Sequence, residues 1–474
     1  MAKAKGNKAQ FSEQGGAATM DPSRLRRWVT SRLLSSAMAE RGVLTQRRQA
    51  EQQRLASREP HRVEYFHQVD DPYSALMAQM LAALVTRYDI DLSIHLVEGP
   101  SGNNVSDLSQ LLAYARRDAA HIAPAYGLWF PEQAAAPELR LIDGVQRMLA
   151  AQSADNMLTL LPLVTNALWR ADGMALAELE KQYGAADAGA AQRCLSTGNA
   201  RRKALGHYSG AMVFYAGEWY WGIDRLCHLE TRLAALGADK KVGGPTLAPR
   251  PGLTLKPRPW ARDLTLEVFP SLRSPYTAMI FERAVALARS SGVNLSVRPV
   301  LPMVMRGVPA TREKGMYIFS DVGREARLQG APIGRFYDPI GEPVRDCYAL
   351  YPWAESRGRG AELVASFLRH AFLLGVNTAS TGALRRVVEA AGLNWQEARR
   401  QRTDEWEQVV ETNRQIMYRS GLWGVPSFRL ITSSGNELLA TWGQDRLWLV
   451  ADYLDRYNER DIQIESSATK PDRA

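Results

Sequence analysis

Gly424-Val425-Pro426-Ser427-Phe428 is the stretch on which the reading of this chain turns. A Gly-Val-Pro run just ahead of a strand-forming segment is a place for a cis X-Pro bond. That bond costs only ~0.5–1 kcal/mol, against ~2.5–4 kcal/mol for other residues, and sits in tight turns. In such a turn the residue before the proline directs its backbone N–H and C=O outward, where an extended ligand can pair with them. Nineteen residues on, Gly443-Gln444-Asp445-Arg446-Leu447 opens an apolar helix carrying Leu447, Trp448, Leu449, Val450, Tyr453 and Leu454. A carboxylate at the mouth of a helix can hold an ammonium group. Far upstream, Ser274-Pro275-Tyr276-Thr277 follows the strand-like run Leu264-Thr265-Leu266-Glu267-Val268-Phe269. Serine ahead of proline there reads as a helix N-cap with proline at the first helical position.

The same order occurs once before, in the first half. Val63-Glu64-Tyr65-Phe66 reads as a strand, Asp70-Asp71-Pro72-Tyr73-Ser74 opens a helix, and Ile90 to Val97 alternates as a second strand. A strand–helix–strand unit of this kind makes a parallel pair with a crossover helix. Largely helical sequence follows to Tyr183. Gly210 to Tyr215 and Glu218-Trp219-Tyr220-Trp221 then form a hairpin around Ala216-Gly217, and Gly222-Ile223-Asp224-Arg225-Leu226 opens a last helix. Four correspondences run in one order. Asp71-Pro72-Tyr73-Ser74 answers Ser274-Pro275-Tyr276-Thr277, and Asp91-Leu92-Ser93-Ile94 answers Asn294-Leu295-Ser296-Val297. Ala123-Pro124 answers Ala331-Pro332, and Gly222 to Leu226 answers Gly443 to Leu447. The first and last elements lie 151 residues apart in one half (71 to 222) and 169 in the other (274 to 443). The halves are an internal repeat, separated by a stretch dense in proline (Pro245, Pro249, Pro251, Pro257, Pro259) that should be extended and semi-rigid.

Length and composition set the outer limits. A chain of 474 residues with 46% hydrophobic and 23% charged residues fits two or three soluble domains. No run of eighteen apolar residues is present and the N-terminus has no apolar signal core, so the expectation is a cytoplasmic protein without a membrane span. The three cysteines, Cys194, Cys227 and Cys347, form no C-x-x-C pair, which argues against a disulfide framework, a zinc ribbon or another metal site. The net charge of +9 reads as a solvated surface with a basic N-terminal extension. The basic residues are scattered and not interleaved with a stacking surface, so no nucleic-acid partner is expected. Residues 1–20 read as disordered. Asp21-Pro22 then reads as an N-cap and first helical residue, with Leu25, Trp28, Val29 and Leu33 at helical spacing among Arg24, Arg26, Arg27 and Arg32. Such a helix could lie on an anionic membrane or a partner; the reading preferred here packs it on its own domain.

Together these motifs resemble the DsbA-like thioredoxin folds. Within them the chain is most similar to the 2-hydroxychromene-2-carboxylate isomerases and kappa-class glutathione transferases. The resemblance covers residues 262–456 throughout, including Arg312-Glu313-Lys314-Gly315-Met316-Tyr317, and residues 61–237 at both ends only. It implies an α/β chain of two tandem thioredoxin-like domains, each with a helical insertion: an N-terminal extension (1–60), a degenerate domain (61–237), a Pro-rich linker (238–261), a second domain (262–456) and a polar tail (457–474). It also implies glutathione as the cofactor. Ser274, where a disulfide oxidoreductase carries its first cysteine, would hydrogen-bond the glutathione thiol. Pro275 and Tyr276 would complete that end of the site. Val425, before cis-Pro426, would pair with the cysteinyl unit. Gln444 and Asp445 would hold the γ-glutamyl end, and Lys314 would stand near the ligand. The partner would be an electrophilic or unsaturated small molecule; the sequence sets no oligomeric state.

Three departures qualify this expectation. Asp71 replaces the serine in the first half and would repel a thiolate. Gly210-Ala211-Met212 replaces Gly-Val-Pro there. In the second half Arg306-Gly307-Val308-Pro309 stands where the isomerases have an Asn-x-Pro-like segment. The resulting expectation is a glutathione-dependent isomerase or transferase in the second domain, with a non-catalytic binding or scaffold protein as the alternative. A disulfide oxidoreductase would need Cys347 to be exposed beside Ser274.

Overall fold

Each half of the chain builds a four-stranded sheet around a central strand that carries a glutamate. The computed structural model describes residues 21–308, 311–331 and 333–468, with side chains to 457. The disorder expected of residues 1–20 lies outside the described residues, as do Pro309 and Pro332. The chain divides into an inner unit, Val43–Pro251, and a split unit in which Gly252–Ala474 is joined by the described part of Met1–Gly42. The boundary at Pro251 falls inside the proline-dense stretch. The extension does not stand as one piece: its first helix, α1 (Arg24–Met38), belongs to the split unit, and the boundary at Gly42 falls inside α2 (Glu40–Ser57).

The inner unit opens with β1 (Arg62–His67), α3 (Pro72–Ala78), α4 (Leu81–Arg87) and β2 (Asp91–Leu96). The insertion comprises α5 (Leu108–Ile122), α6 (Leu139–Ala150), α7 (Ala154–Trp169), α8 (Gly173–Tyr183) and α9 (Ala188–Ala204). The hairpin β3 (Met212–Tyr215) and β4 (Glu218–Trp221) and then α10 (Gly222–Ala235) complete it. The strand order is β2-β1-β3-β4, with β1 and β2 parallel and β3 antiparallel to both of its neighbours. Val63, Tyr65 and Phe66 of β1 are fully buried. The insertion closes on the sheet through Gly198, where an added Cβ would lie 2.0 Å from the Leu96 carbonyl oxygen. From α2, Arg47 forks onto Glu218 of β4 at 2.6 and 2.8 Å.

The split unit repeats the plan with β5 (Leu264–Phe269), α11 (Pro275–Ser291) and β6 (Asn294–Val297). Its insertion is α12 (Arg312–Gln329), α13 (Glu342–Ser356), α14 (Gly360–Phe372), α15 (Thr381–Ala390), α16 (Trp395–Ala398) and α17 (Trp406–Arg419). It ends with β7 (Ser427–Thr432), β8 (Glu437–Trp442), a 3-10 turn Gln444–Arg446 and α18 (Leu447–Ala468). The order is β6-β5-β7-β8. The sequence alternates from Val293 to Val300, but β6 ends at Val297; Arg298 and Val300 still donate to the Val268 and Pro270 carbonyls at 2.8 and 2.9 Å, while Pro270, just past β5, has no N–H to donate back. Arg258 in the linker is wholly buried and forks onto Asp455 of α18 at 2.9 Å, so the linker's end is fixed to the split unit. Among the described residues no helix is long and apolar enough to cross a membrane.

The repeat extends to register and ion pairs. Glu64 and Glu267, Asp71 and Ser274, and Ser93 and Ser296 are each 203 residues apart. Glu64 lies opposite Ser93 and bonds His95 at 2.9 Å; Glu267 lies opposite Ser296 and bonds Arg298. The two units therefore place a carboxylate at one point of the central strand and a basic residue two positions on in its parallel neighbour.

α1 packs on its own unit, as preferred above, but through the opposite face. It begins at Arg24 with Ser23 as its cap, not at Asp21-Pro22. Asp21 instead accepts the Glu342 N–H at 2.6 Å and so caps α13. Arg27 donates to the carbonyls of Asp338 and Ile340 at 2.8 and 2.6 Å, Ser31 accepts the Asp338 N–H at 2.9 Å, and Ser35 exchanges two bonds with the Phe336 backbone at 3.1 Å. The loop from Phe336 to Ile340 has no strand or helix partner for these backbone groups, so only polar side chains can satisfy them. The C-terminal end of α1 lies against Gly323 of α12, where a Cβ would come within 2.7 Å of the Met38 carbonyl oxygen. Gly323→Ala is therefore expected to cost about 1–3 kcal/mol and to make the segment around Met38 more sensitive to limited proteolysis. Unchanged cleavage and an unchanged thermal midpoint would show that α1 is not seated at Gly323.

Candidate functional site

The site begins where β5 gives way to α11. Ser274 caps α11, accepting the Thr277 N–H at 3.2 Å, and Pro275 occupies the first turn. The Ser274 hydroxyl lies 3.5 Å from the Val425 carbonyl oxygen, to which it donates. The Val425–Pro426 bond is cis. Ser274 and Val425 remain partly exposed, while Pro275 and Pro426 are buried. Four of the eight residues singled out in the sequence thus meet at one edge of the split unit.

The other four belong to a surrounding frame. The Pro426 carbonyl accepts the Gly443 N–H at 3.0 Å, which joins the cis turn to the 3-10 turn. Gln444 is buried; its amide donates to Glu325 at 2.6 Å and its carbonyl accepts from Gln329 at 2.9 Å. Asp445 lies 3.5 Å from the Arg446 guanidinium. Its carboxylate curls over Gly443, where a Cβ would lie only 2.6 Å from it and φ is +117°. Tyr276 donates to Asp321 of α12 at 2.7 Å, and Arg324 meets the other oxygen of that carboxylate at 2.7 Å. Lys314 stands two turns before Asp321 on the same face of α12, and burial lowers its ammonium pKa. A closed circuit of hydrogen bonds results, from α11 to the cis turn, to the 3-10 turn, to α12 and back to α11.

Sequence reasoning missed Asp321, Glu325 and Gln329, the α12 side of this circuit. A signal was present. Tyr73 donates to Asp118 at 2.8 Å in the inner unit, and both tyrosine–aspartate pairs span 45 residues. Arg273 was missed as well. It forks onto the buried Asp338 at 2.7 and 2.8 Å, in the loop that α1 holds, and so fixes the residue next to Ser274. Cys347 is 1% exposed and burial pushes its thiol pKa up. Its neighbour Tyr348 accepts the Leu272 N–H at 3.3 Å. The condition set for a disulfide oxidoreductase is not met.

The inner unit keeps the frame and changes its tip. Gly222 donates to the Ala211 carbonyl at 2.8 Å, the counterpart of the bond from Gly443 to Pro426. Asp71 caps α3, accepting the Tyr73 and Ser74 N–H groups and the Ser74 hydroxyl. The Ser74 oxygen in turn accepts the Ala211 N–H at 3.0 Å. Here the helix cap and the hairpin loop are tied to each other through a third side chain, and the loop residue, Ala211, has φ +53°.

Residues 265–455 match a family model described as a DSBA-like thioredoxin domain. Among solved structures, a 2-hydroxychromene-2-carboxylate isomerase is 16% identical over 42% of this chain and 98% of its own, with a TM-score of 0.35. The cytosolic disulfide reductase DsbM from Pseudomonas aeruginosa is 19% identical over 42% of this chain and 99% of its own, with a TM-score of 0.33. The same reductase solved with GSH is also 19% identical over 42% and 99%, with a TM-score of 0.31. No curated protein matches the chain.

Burial pushes the Asp71 carboxyl up from an ordinary 3.8 to about 6. Asp71 therefore binds its proton more tightly in the folded state. The associated stability is complete below about pH 4 and is lost as pH rises through about 6, a change on the order of 3 kcal/mol. Asp71→Asn keeps an oxygen acceptor for the cap and cannot ionise. Its thermal midpoint is expected to fall less than that of the unmodified chain between about pH 4 and about pH 7. Equal losses in both proteins would rule out Asp71 as the titrating group.

Proposed function

We propose that this chain, in which residues 265–455 form a DsbA-like thioredoxin domain, binds glutathione in its split unit and uses Ser274 to activate the thiol. The reaction would be an isomerisation or a transfer on an electrophilic or unsaturated small molecule. One observation carries this reading: a partly exposed serine, at the N-terminus of a 17-residue helix, sets its hydroxyl 3.5 Å from the carbonyl that precedes a cis proline. A hydroxyl donor and the positive end of a helix both favour a thiolate over a thiol.

Each residue then has a definable task. Ser274 turns its one hydroxyl proton from the Val425 carbonyl to the sulfur and lowers the thiol's pKa. Val425 offers its backbone groups to the cysteinyl unit, and the buried Pro426 holds that backbone in place. Pro275 and Tyr276 set the start of α11, the tyrosine through its bond to Asp321. Asp445, at the mouth of the last helix, takes the ammonium of the γ-glutamyl end, with Gln444 beside it. Lys314 offers a positive charge from α12. When bound, glutathione supplies a thiolate that adds to an unsaturated carbon and leaves again in an isomerisation, or stays attached to an electrophile in a transfer.

A second reading, a non-catalytic binding module, has one observation in its favour: the Gln444 amide and carbonyl are already engaged by Glu325 and Gln329. Calorimetric titration of glutathione separates the two. The enzyme reading expects saturable binding that is about tenfold weaker in Asp445→Asn, through loss of a charge-assisted bond, together with a thiolate ultraviolet absorbance that disappears in Ser274→Ala. Absence of binding at millimolar glutathione, or binding indifferent to both substitutions, would overturn it.

A further inference from the structure

α1 presents its apolar stripe to solvent. Leu25, Trp28, Val29 and Leu33 are 72%, 48%, 40% and 62% exposed, and their spacing puts them on one face. The opposite face, Arg27, Ser31 and Met38, is buried against the split unit. Arg24, Arg26 and Arg32 are exposed along and between the apolar residues, and the Arg32 guanidinium lies 5.3 Å from the Trp28 ring. No aspartate or glutamate occurs from Pro22 to Ala39. The preceding segment adds Lys3, Lys5 and Lys8 against Glu13. The helix is held along its length by Arg27, Ser31 and Ser35, so the exposed stripe is a fixed surface of the unit.

We propose that this face seats on an anionic phospholipid bilayer, with Trp28 and the three aliphatic side chains entering the headgroup layer and Arg24, Arg26 and Arg32 meeting lipid phosphates and carboxylates. Charge decides the occupant. An apolar stripe with cations around it and no carboxylate between them matches a broad anionic plane. Arginine side chains can lie along the apolar residues while their heads stay in the charged layer. The inference is independent of the glutathione reading, because α1 contributes no residue to that site.

The test uses the full chain and flotation with two kinds of vesicle: phosphatidylcholine alone, and phosphatidylcholine in which roughly a third is replaced by phosphatidylserine. The chain is expected to float with the anionic vesicles only, and less so as salt rises. Trp28→Ser with Leu33→Ser should weaken partitioning about tenfold or more. Arg24→Gln, Arg26→Gln and Arg32→Gln together should weaken it on the order of a hundredfold. All five side chains are exposed, so an unchanged thermal midpoint will show that the fold is intact. Absence of flotation, equal flotation with neutral vesicles, or flotation unaffected by either variant would overturn the proposal. So would a dimer in light scattering that dissociates in the Trp28→Ser, Leu33→Ser variant, because the stripe would then be covered by a second copy of the chain.

Discussion

The Ser274 hydroxyl is both acceptor and donor, and the split unit is arranged around that dual role. As an acceptor it satisfies the Thr277 N–H, one of the orphan donors that every helix start must place. As a donor it reaches the Val425 carbonyl. One side chain thus links the end of the parallel β5–α11 connection to the beginning of the antiparallel β7–β8 hairpin. The order β6-β5-β7-β8 makes this possible, since it sets Phe269 opposite Ser427 and brings the two loops to the same edge of the sheet. Glu267, buried in β5 between Arg298 and Arg429, helps to hold that alignment from below.

The two units show which parts of such an edge can change independently. The carboxylate of the central strand, the tyrosine–aspartate bond across 45 residues and the amide from the hairpin's end to the loop persist in both. The residue at the helix cap and the residue in the loop differ together. With serine and a cis proline, cap and loop face each other directly. With Asp71 and Ala211, Ser74 stands between them. The inner unit therefore has the same frame around a different tip.

Much of this was legible in the sequence because it is local. Gly-Val-Pro before a strand, Ser-Pro opening a helix and alternation from Leu264 to Phe269 each depend on a few neighbouring residues, and β5 begins and ends where alternation puts it. The α12 side of the circuit was not legible. Asp321 and Glu325 look like ordinary helix-surface acids until Tyr276 and Gln444 are known to face them. The orientation of α1 misled for a related reason. Apolar spacing identifies a helix and its stripe, but the preference to bury that stripe was overridden by backbone groups of the Phe336–Ile340 loop, some 300 residues away, which require polar partners.

The seating of α1 also has a consequence for how the chain matures. Its hydrogen-bonding partners lie more than 300 residues downstream, whereas the whole inner unit is contiguous. During synthesis the inner unit can collapse as soon as it has emerged, while α1 must wait, its arginine and serines solvated, until the C-terminal half follows. Closing so long a loop is the slow, entropically costly kind of contact formation. The split unit is thus completed only after the inner unit has emerged, and until the Phe336–Ile340 loop follows, both faces of α1 are open to chaperones and other surfaces they meet.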